Sequence, residues 1–483
     1  MKYFLDPFGC AKNQVDAEIM MAALNNALWA AVDDPADADM IIVNSCGFIE
    51  DAKRESINAV LAWKNQYPQK KILLAGCLAQ RYWKELQESL TEADGFLDCD
   101  NIDNVVHKAA ELFKQVRTAS VSTQETSRAV LPDSNRPDHL TRPLASGQVK
   151  VIRQGLRPLL GFPGSAYVKI SEGCNNNCTF CAIPLIRGPL RCRAVPDIVE
   201  ECRQLLERGV KELCFIGQDI ASFAIDNGTA TEDGAAALAA LLKAIAALPG
   251  DFWVRLLYLH PDHFPLDILD IIAHDRRFLP YFDIPFQHAA SRLLSSMGRR
   301  GNAKSYLCLL ETIRTKLPDA VIRSTFLVGF PGETEDDFKM LLDFQQQANF
   351  DWLGVFTFSR EEGTAAYSIK GRVGKKIAAQ RKAVIEEKQV PITEERMNRF
   401  AGRTMDVLVE EVIAPAPEDS PQSDNFWLGR VFCQAPEVDG AAVIRTADAT
   451  GTKLPKPGDM IRGTIVARRG FDLELLVPAP YLA

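Results

Sequence analysis

The sequence predicts an α/β chain in three parts: an N-terminal doubly wound parallel sheet, a central partial (β/α)6 barrel, and a small C-terminal OB-like β-barrel. Three observations predict this. Short apolar runs alternate with helical patterns from Met1 to about Leu112. A longer series of six strand–helix units follows, and strand alternating with helix implies parallel sheets covered on both faces. After residue 400 the helical pattern gives way to about five short alternating runs with Gly, Pro and Asp turns between them, which suits a small barrel. At about 100–200 residues per domain, a chain of 483 residues with 47% hydrophobic content has material for two to four domains.

In the first part, "KYFLDPF" (Lys2–Phe8) precedes an amphipathic stretch from Asn13 to Leu28, and "MIIVN" (Met40–Asn44) precedes another from Glu50 to Lys64. "KILLAG" (Lys71–Gly76) and "GFLD" (Gly95–Asp98) repeat the rhythm. Residues 1–116 are therefore expected to form one domain. Residues 117–164 are expected to be a linker, because their Ser-, Thr- and Pro-rich stretch loses apolar periodicity. The barrel is assigned to residues 165–398. Its expected strands are Ala166–Ser171, Glu212–Gly217, Phe252–Leu259, Tyr281–Phe286, Ala320–Phe330 and Trp352–Ser359, with helices such as Val195–Glu207 and Glu333–Gln346 between them. A charged helix, Gly374–Phe400, leads to the last barrel, residues 399–483.

No apolar run is long enough to span a membrane, and Asp6 and Pro7 interrupt the apolar N-terminus, which argues against a secretory signal. Twelve cysteines are too sparse for a disulfide scaffold. A cytoplasmic protein with reduced thiols is expected, and clustered thiols there suggest metal. The formal net charge of −8 gives no global attraction to nucleic acid. No glycosidase pair, nucleophilic triad or phosphate loop is visible, and the sequence designates no catalytic side chain.

"SEGCNNNCTFCAIP" (Ser171–Pro184) places Cys174, Cys178 and Cys181 on one tight loop after the first barrel strand. Structural zinc needs four ligands, and Cys192 or Cys202 are candidates for the fourth. A disulfide leaves one thiol over. A [4Fe–4S] cluster held by only three cysteines keeps one iron open. That iron suits the amino and carboxylate groups of S-adenosylmethionine, which one electron from the cluster can split to a deoxyadenosyl radical. Position favours the cluster, since a loop after a barrel strand lies at the carboxyl edge where active sites form. Cys10, Cys46 and Cys77 each follow a strand of the N-terminal sheet by one or two residues. They therefore share its carboxyl edge, with Gly9, Gly47 and Gly76 beside them. Simple packing of cysteine near buried strands is the other reading.

The wider stretch "KISEGCNNNCTFCAIPLIRG" (Lys169–Gly188) resembles the radical S-adenosylmethionine superfamily, and within it the methylthiotransferase family. The resemblance covers nearly the whole chain. "GCAKNQVDAE", "VNSCGFI" and "LLAGCLAQR" match the family's N-terminal domain, and the last region resembles its TRAM module. It implies two [4Fe–4S] clusters, one on Cys174, Cys178 and Cys181 and one on Cys10, Cys46 and Cys77, and S-adenosylmethionine as cofactor. It implies that Phe180 packs beside the adenine, with Pro184, Arg187 and Gly188 matching the "P…RG" that follows. Gln218 corresponds to a position at the methionine end of the cofactor, and Gly329 and Pro331 lie in the strong family match "FLVGFPGETEDDF" (Phe326–Phe338). Gln287 and His288 in "DIPFQHA" are expected at the end of strand four, facing the active site, although a lone histidine is more often a hydrogen-bonded structural residue than an acid or base. Cys99 is read as structural, and Cys214, Cys308 and Cys433 as core packing.

Details such as Lys12-Asn13 and Val15-Asp16 favour the branch that methylthiolates the β-carbon of an aspartate in small-subunit ribosomal protein twelve. The alternatives are the branch acting on tRNA adenosine and, as a non-enzyme, a structural zinc protein binding RNA through its C-terminal barrel. The implied partners are that ribosomal protein and an electron donor such as flavodoxin or ferredoxin. Residues Ala401–Ala483 hold 8 Lys/Arg against 12 Asp/Glu, a balance that suits a basic protein better than RNA. Glu437, Asp439, Asp472 and Glu474 are expected to supply target-facing carboxylates.

Overall fold

The computed structural model describes residues 1–118, 157–224, 235–413, 426–446 and 454–478. Most of the expected linker lies outside these residues. The chain divides into two compact units. The first holds the N-terminal sheet together with Glu172–Asn175 and Ala182–Arg191; the second holds the central sheet, Asn176–Cys181 and the C-terminal barrel.

In the first unit, Lys2–Pro7, Met40–Ser45, Lys71–Gly76 and Gly95–Leu97 form a parallel sheet. A two-residue strand the sequence did not announce, Ala30–Ala31, extends it beyond Lys2–Pro7. Every residue of Met40–Ser45 is buried, as the apolar run Met40–Val43 covered on both faces predicts, and polar Asn44 and Ser45 are buried with it. Val60 of the helix Glu50–Gln66 packs with Ile41, Val43, Ile72 and Leu74 on that sheet. The register places Pro7 beside Asn44 and Ser45 beside Gly76, so the strands end level and the residues that follow them emerge together.

The central sheet has six parallel strands whose spatial order is their chain order: Ser165–Lys169, Glu212–Ile216, Trp253–Leu256, Phe278–Asp283, Val321–Val328 and Trp352–Thr357. This is the expected partial barrel. All six end earlier than expected, two of them by three residues. Trp253–Leu256 stops before Tyr258, whose φ of 67° turns the chain. Phe278–Asp283 stops short of Pro285, which has no N–H to pair.

The five strands Thr404–Ile413, Phe426–Val431, Ala442–Thr446, Met460–Arg469 and Asp472–Val477 close a barrel. Thr404–Ile413 pairs with both Phe426–Val431 and Met460–Arg469, which leaves no edge. Trp427 fills its interior at 1% exposure, with Nε1 donating to Pro455 O.

This barrel is seated on the central sheet near the amino ends of its strands. Buried Glu212 accepts from Arg255 Nε (2.7 Å), Ser165 Oγ (2.9 Å) and Arg430 Nη2 (2.6 Å). Arg430 also donates to Glu410 and to Gln434 O, and Arg255 to Phe432 O. Asp439 accepts from Tyr281 OH and Arg323, and Trp352 Nε1 donates to Cys433 O. Cys214 and Cys433 are buried as expected, whereas Cys308 is exposed on the helix Ala303–Lys316. Its place in a helical pattern suggested a core position, but it lies on the solvent side of the helix.

Candidate functional site

Three cysteines end three neighbouring strands in the first unit. Cys10 is exposed and begins the helix Ala11–Asn26, Cys46 is half-buried, and Cys77 is buried as the first residue of the helix Cys77–Arg81. The backbone between them is tight. A Cβ on Gly47 would lie 2.7 Å from Cys77 O, and one on Gly9 would lie 3.3 Å from the Cβ of Cys46. Only glycine lets these strand ends close together, which is what a shared ligand cradle requires.

Asn13 fixes this edge. Its Nδ2 donates to Phe8 O (3.0 Å) and Ser45 O (2.9 Å), so Oδ1 turns towards Cys77 Sγ at 3.2 Å. Arg187, 2% exposed, donates to Asn13 Oδ1 (2.7 Å), to Cys77 Sγ (3.1 Å) and to Asp16 Oδ2 (2.6 Å). Cys99 Sγ lies 4.0 Å from Cys77 Sγ and donates to it. The thiols titrate apart as a result. Burial pushes Cys46 up to about 11, with Cys77 and Cys10 adding to the rise and the Phe48 N–H and Arg187 opposing it. For Cys77 the bond from Cys99, with Arg187 behind it, outweighs burial and brings the thiol down to about 6. That is thiolate character, the form that binds iron.

Of the second set, Cys174 belongs with the first unit, where its N–H donates to Gly188 O. Cys178 and Cys181 belong with the barrel. Cys181 N donates to Cys178 O, and Thr179 ties the loop to Met297 O and Ser296 O. Burial raises the Cys178 thiol against the pull of Arg299, whose guanidinium hydrogen-bonds it. Phe180 is half-buried against Leu293, Met297 and Phe330.

Sequence reasoning missed the group beneath this loop. Asp219, 2% exposed, accepts from Asn176 Nδ2 (2.8 Å), Ser222 Oγ (2.8 Å), Ala221 N (3.0 Å) and His263 Nε2 (2.6 Å). Burial alone would raise its carboxyl, but the His263 bond and the other donors hold it at about 2. His263 stacks on His260 with centroids 4.6 Å apart, and burial lowers His260 to about 3. Gln218, expected in the site, lies half-buried beside Asp219 at the same strand end. The motif "LHPDH" (Leu259–His263) was visible as residues, but nothing in its periodicity announced a site.

Two expectations change, those for His288 and for Cys192 and Cys202, and Gly329 gains a packing reason. His288 does not face an open site: it is 0% exposed, its Nδ1 accepts from Ala290 N, and its Nε2 lies 3.6 Å from Glu333 Oε1. Glu333 in turn accepts from Gly329 N and pairs with Arg381, so this charged set braces the turn that carries Gly329 and Pro331. The Cβ position of Gly329 faces Ala378 of the helix Lys375–Asn398 at 2.6 Å, and its φ is 77°, so helix packing and the turn both require glycine there. Cys192 and Cys202 are both buried, Cys202 within the helix Val195–Glu207, and among the described residues neither is grouped with further side chains as a zinc site would need.

Among the described residues, no three His, Cys, Asp or Glu side chains are grouped as around one metal ion. A cluster makes a different demand, since each of its thiolates binds a different iron. The strand-end thiols, their glycine-lined approach and the donors on Cys77 fit such a group. Among the described residues, no helix is long and apolar enough to cross a membrane.

Known proteins match along the same divisions. The model of the uncharacterized protein family UPF0004 matches residues 2–98, that of the radical SAM superfamily residues 168–344, and that of the TRAM domain residues 401–475. The ribosomal protein uS12 methylthiotransferase RimO of Treponema denticola is 44% identical, covering 97% of this chain and 99% of its own. That of Natranaerobius thermophilus is 37% identical, covering 98% of each. Among solved structures, the radical S-adenosylmethionine methyltransferase TsrM of Kitasatospora setae, bound to cobalamin and a [4Fe–4S] cluster, superposes with a TM-score of 0.52. It is 14% identical and covers 76% of this chain and 73% of its own, a likeness of fold.

Proposed function

The chain belongs to the ribosomal protein uS12 methylthiotransferase family, and on that basis we propose that it adds a methylthio group to the β-carbon of an aspartate in uS12. It is a radical S-adenosylmethionine enzyme, and a [4Fe–4S] cluster with S-adenosylmethionine supplies the means of activating an unreactive C–H bond. Cys174, Cys178 and Cys181 would hold that cluster. Phe180, Gln218 and the turn of Gly329 and Pro331 would border the cofactor, with Asp219 anchoring the cysteine loop through Asn176. Cys10, Cys46 and Cys77 would hold a second [4Fe–4S] cluster as the station for sulfur. The reading rests on one observation above all: three thiols gathered at one sheet edge, in a chain that carries a separate three-cysteine barrel loop. The modules suggest domains at residues 1–116, 165–398 and 399–483, and the ribosomal substrate suggests a cytoplasmic enzyme that draws electrons from flavodoxin or ferredoxin.

Neither alternative gains support. The relatives named above act on uS12, and Cys192 and Cys202 are buried outside any group of metal-ligating side chains among the described residues. The test is the triple variant Cys10→Ala, Cys46→Ala, Cys77→Ala. It should still form deoxyadenosine, because the barrel loop is untouched, and should make no methylthiolated uS12. Methylthiolated product from this variant would remove the sulfur station from the N-terminal sheet. In cells lacking the gene, mass spectrometry should show uS12 without its methylthio group while tRNA adenosine keeps its own; the reverse would assign the chain to tRNA.

A further inference from the structure

The sulfur of Cys77 differs from those of Cys10 and Cys46 in the company it keeps. It receives one hydrogen bond from Arg187 Nη2 at 3.1 Å and a second from Cys99 Sγ at 4.0 Å. Both donors are held in place by their own partners. Arg187 is fixed by Asp16 at 2.6 Å, Asn13 at 2.7 Å and Glu172 at 3.3 Å. Cys99 N–H donates to Gln80 Oε1 at 3.0 Å, and its side chain packs with Cys77, Ala182 and Ile186. Arg187 stands six residues beyond Cys181, on the short helix Ile183–Arg187 that leaves the barrel's cysteine loop. The charge of this arginine is balanced by Asp16 and Glu172, so its distinctive contribution to Cys77 is the directed N–H bond.

Hydrogen bonds donated to a ligand sulfur draw electron density from the metal and favour the reduced cluster, which raises its potential. We propose that Arg187 and Cys99 are positioning residues for the N-terminal cluster: their two hydrogen bonds fix the Cys77 sulfur and raise the potential of the cluster it binds. This deepens the assignment of a second cluster and rests on it. It also gives Cys99 a defined task, that of a donor outside the ligand set.

The test uses the full chain with Cys174, Cys178 and Cys181 changed to Ala, so that only the N-terminal cluster remains, reconstituted anaerobically with iron and sulfide. About four irons per chain are expected, one [4Fe–4S] cluster. Redox titration followed by electron paramagnetic resonance then compares Arg187→Gln, Arg187→Lys, Cys99→Ala and Cys99→Ser in that background. Arg187→Gln and Cys99→Ala should each move the midpoint to more negative potential. Cys99→Ser, which keeps a donor, should stay with the parent, and Arg187→Lys should fall between parent and Gln. Unmoved midpoints in Arg187→Gln and Cys99→Ala would overturn the proposal. Should Arg187→Gln fail to hold iron, Cys99→Ala decides alone by the same criterion. A parent that binds no iron, with Arg187 and Cys99 intact, would instead overturn the second cluster itself, and this inference with it.

Discussion

Asp219 gathers four donors around one carboxylate, and one of them, Asn176, belongs to the loop between Cys174 and Cys178. Outer-shell partners that orient ligands commonly matter by about 10- to 100-fold. Asp219→Ala should therefore lower deoxyadenosine formation by about that factor at saturating cofactor, as read by chromatography of the quenched reaction. Cys192 gives the contrasting case: it is buried and stands in no group of metal-ligating side chains among the described residues, so Cys192→Ala should keep iron content and deoxyadenosine yield, and loss of iron there would revive a zinc site. At this scale the sequence was informative wherever chemistry forced a rare residue into a patterned place. Cys10, Cys46 and Cys77 stand out because each follows a recognisable strand. Asp219, His260, His263 and Arg299 do not, because polar residues of loops and turns are defined by partners distant in sequence, such as Asn176 for Asp219.

Elements were legible through their interiors and less so at their ends. Lys71–Gly76 and Val195–Glu207 match their predicted spans, since both are bounded by clear turn signals. The shift from Glu333 to Glu335 at the start of one helix has a cause: Thr334 is its N-cap, bonding reciprocally with Asp337. Thr334→Ala should cost about 1 kcal/mol, seen in chemical denaturation of the chain. A larger effect is expected at Gly47. Its added Cβ would meet the Cys77 carbonyl, which is backbone and cannot step aside. Gly47→Ala should spread the ends of the strands Met40–Ser45 and Lys71–Gly76 and reduce iron bound at the N-terminal site. Iron analysis in the background that lacks the barrel cysteines checks this, with full retention as the contrary result.

Within the second unit, the seat of the C-terminal barrel is built from charges that neither local propensity nor composition can reveal, since Glu212 and Arg430 stand 218 residues apart. It also alters the expectation drawn from acidity. Asp439 is spent on Tyr281 and Arg323, Glu474 pairs with Arg445 and Arg469, and Asp472 accepts from Ala441 N. Of the four carboxylates expected to meet the target, only Glu437 remains exposed without such a bond among those described. Burial works to raise Glu212, but Arg430 and Arg255 overcome it and its pKa falls to about 2. Because the folded value is depressed, the stability it contributes is full above the ordinary glutamate range. It is lost as pH falls from about 4.5 through about 2, on the order of 3 kcal/mol in all. Glu212→Gln should remove that part of the acid dependence of thermal unfolding. At neutral pH it should cost about 3–5 kcal/mol, because Arg255 and Arg430 lose their shared counter-charge. The same seat restricts protein engineering. The TRAM region looks like a portable cassette in the sequence, yet a graft that replaced residues 401–475 would have to bring its own guanidinium for Glu212 and its own carboxylate for Arg323. A donor cassette without them would fold on its own strands and still leave its host unstable, so exchange between enzymes should succeed only where lock and key are transplanted as a pair.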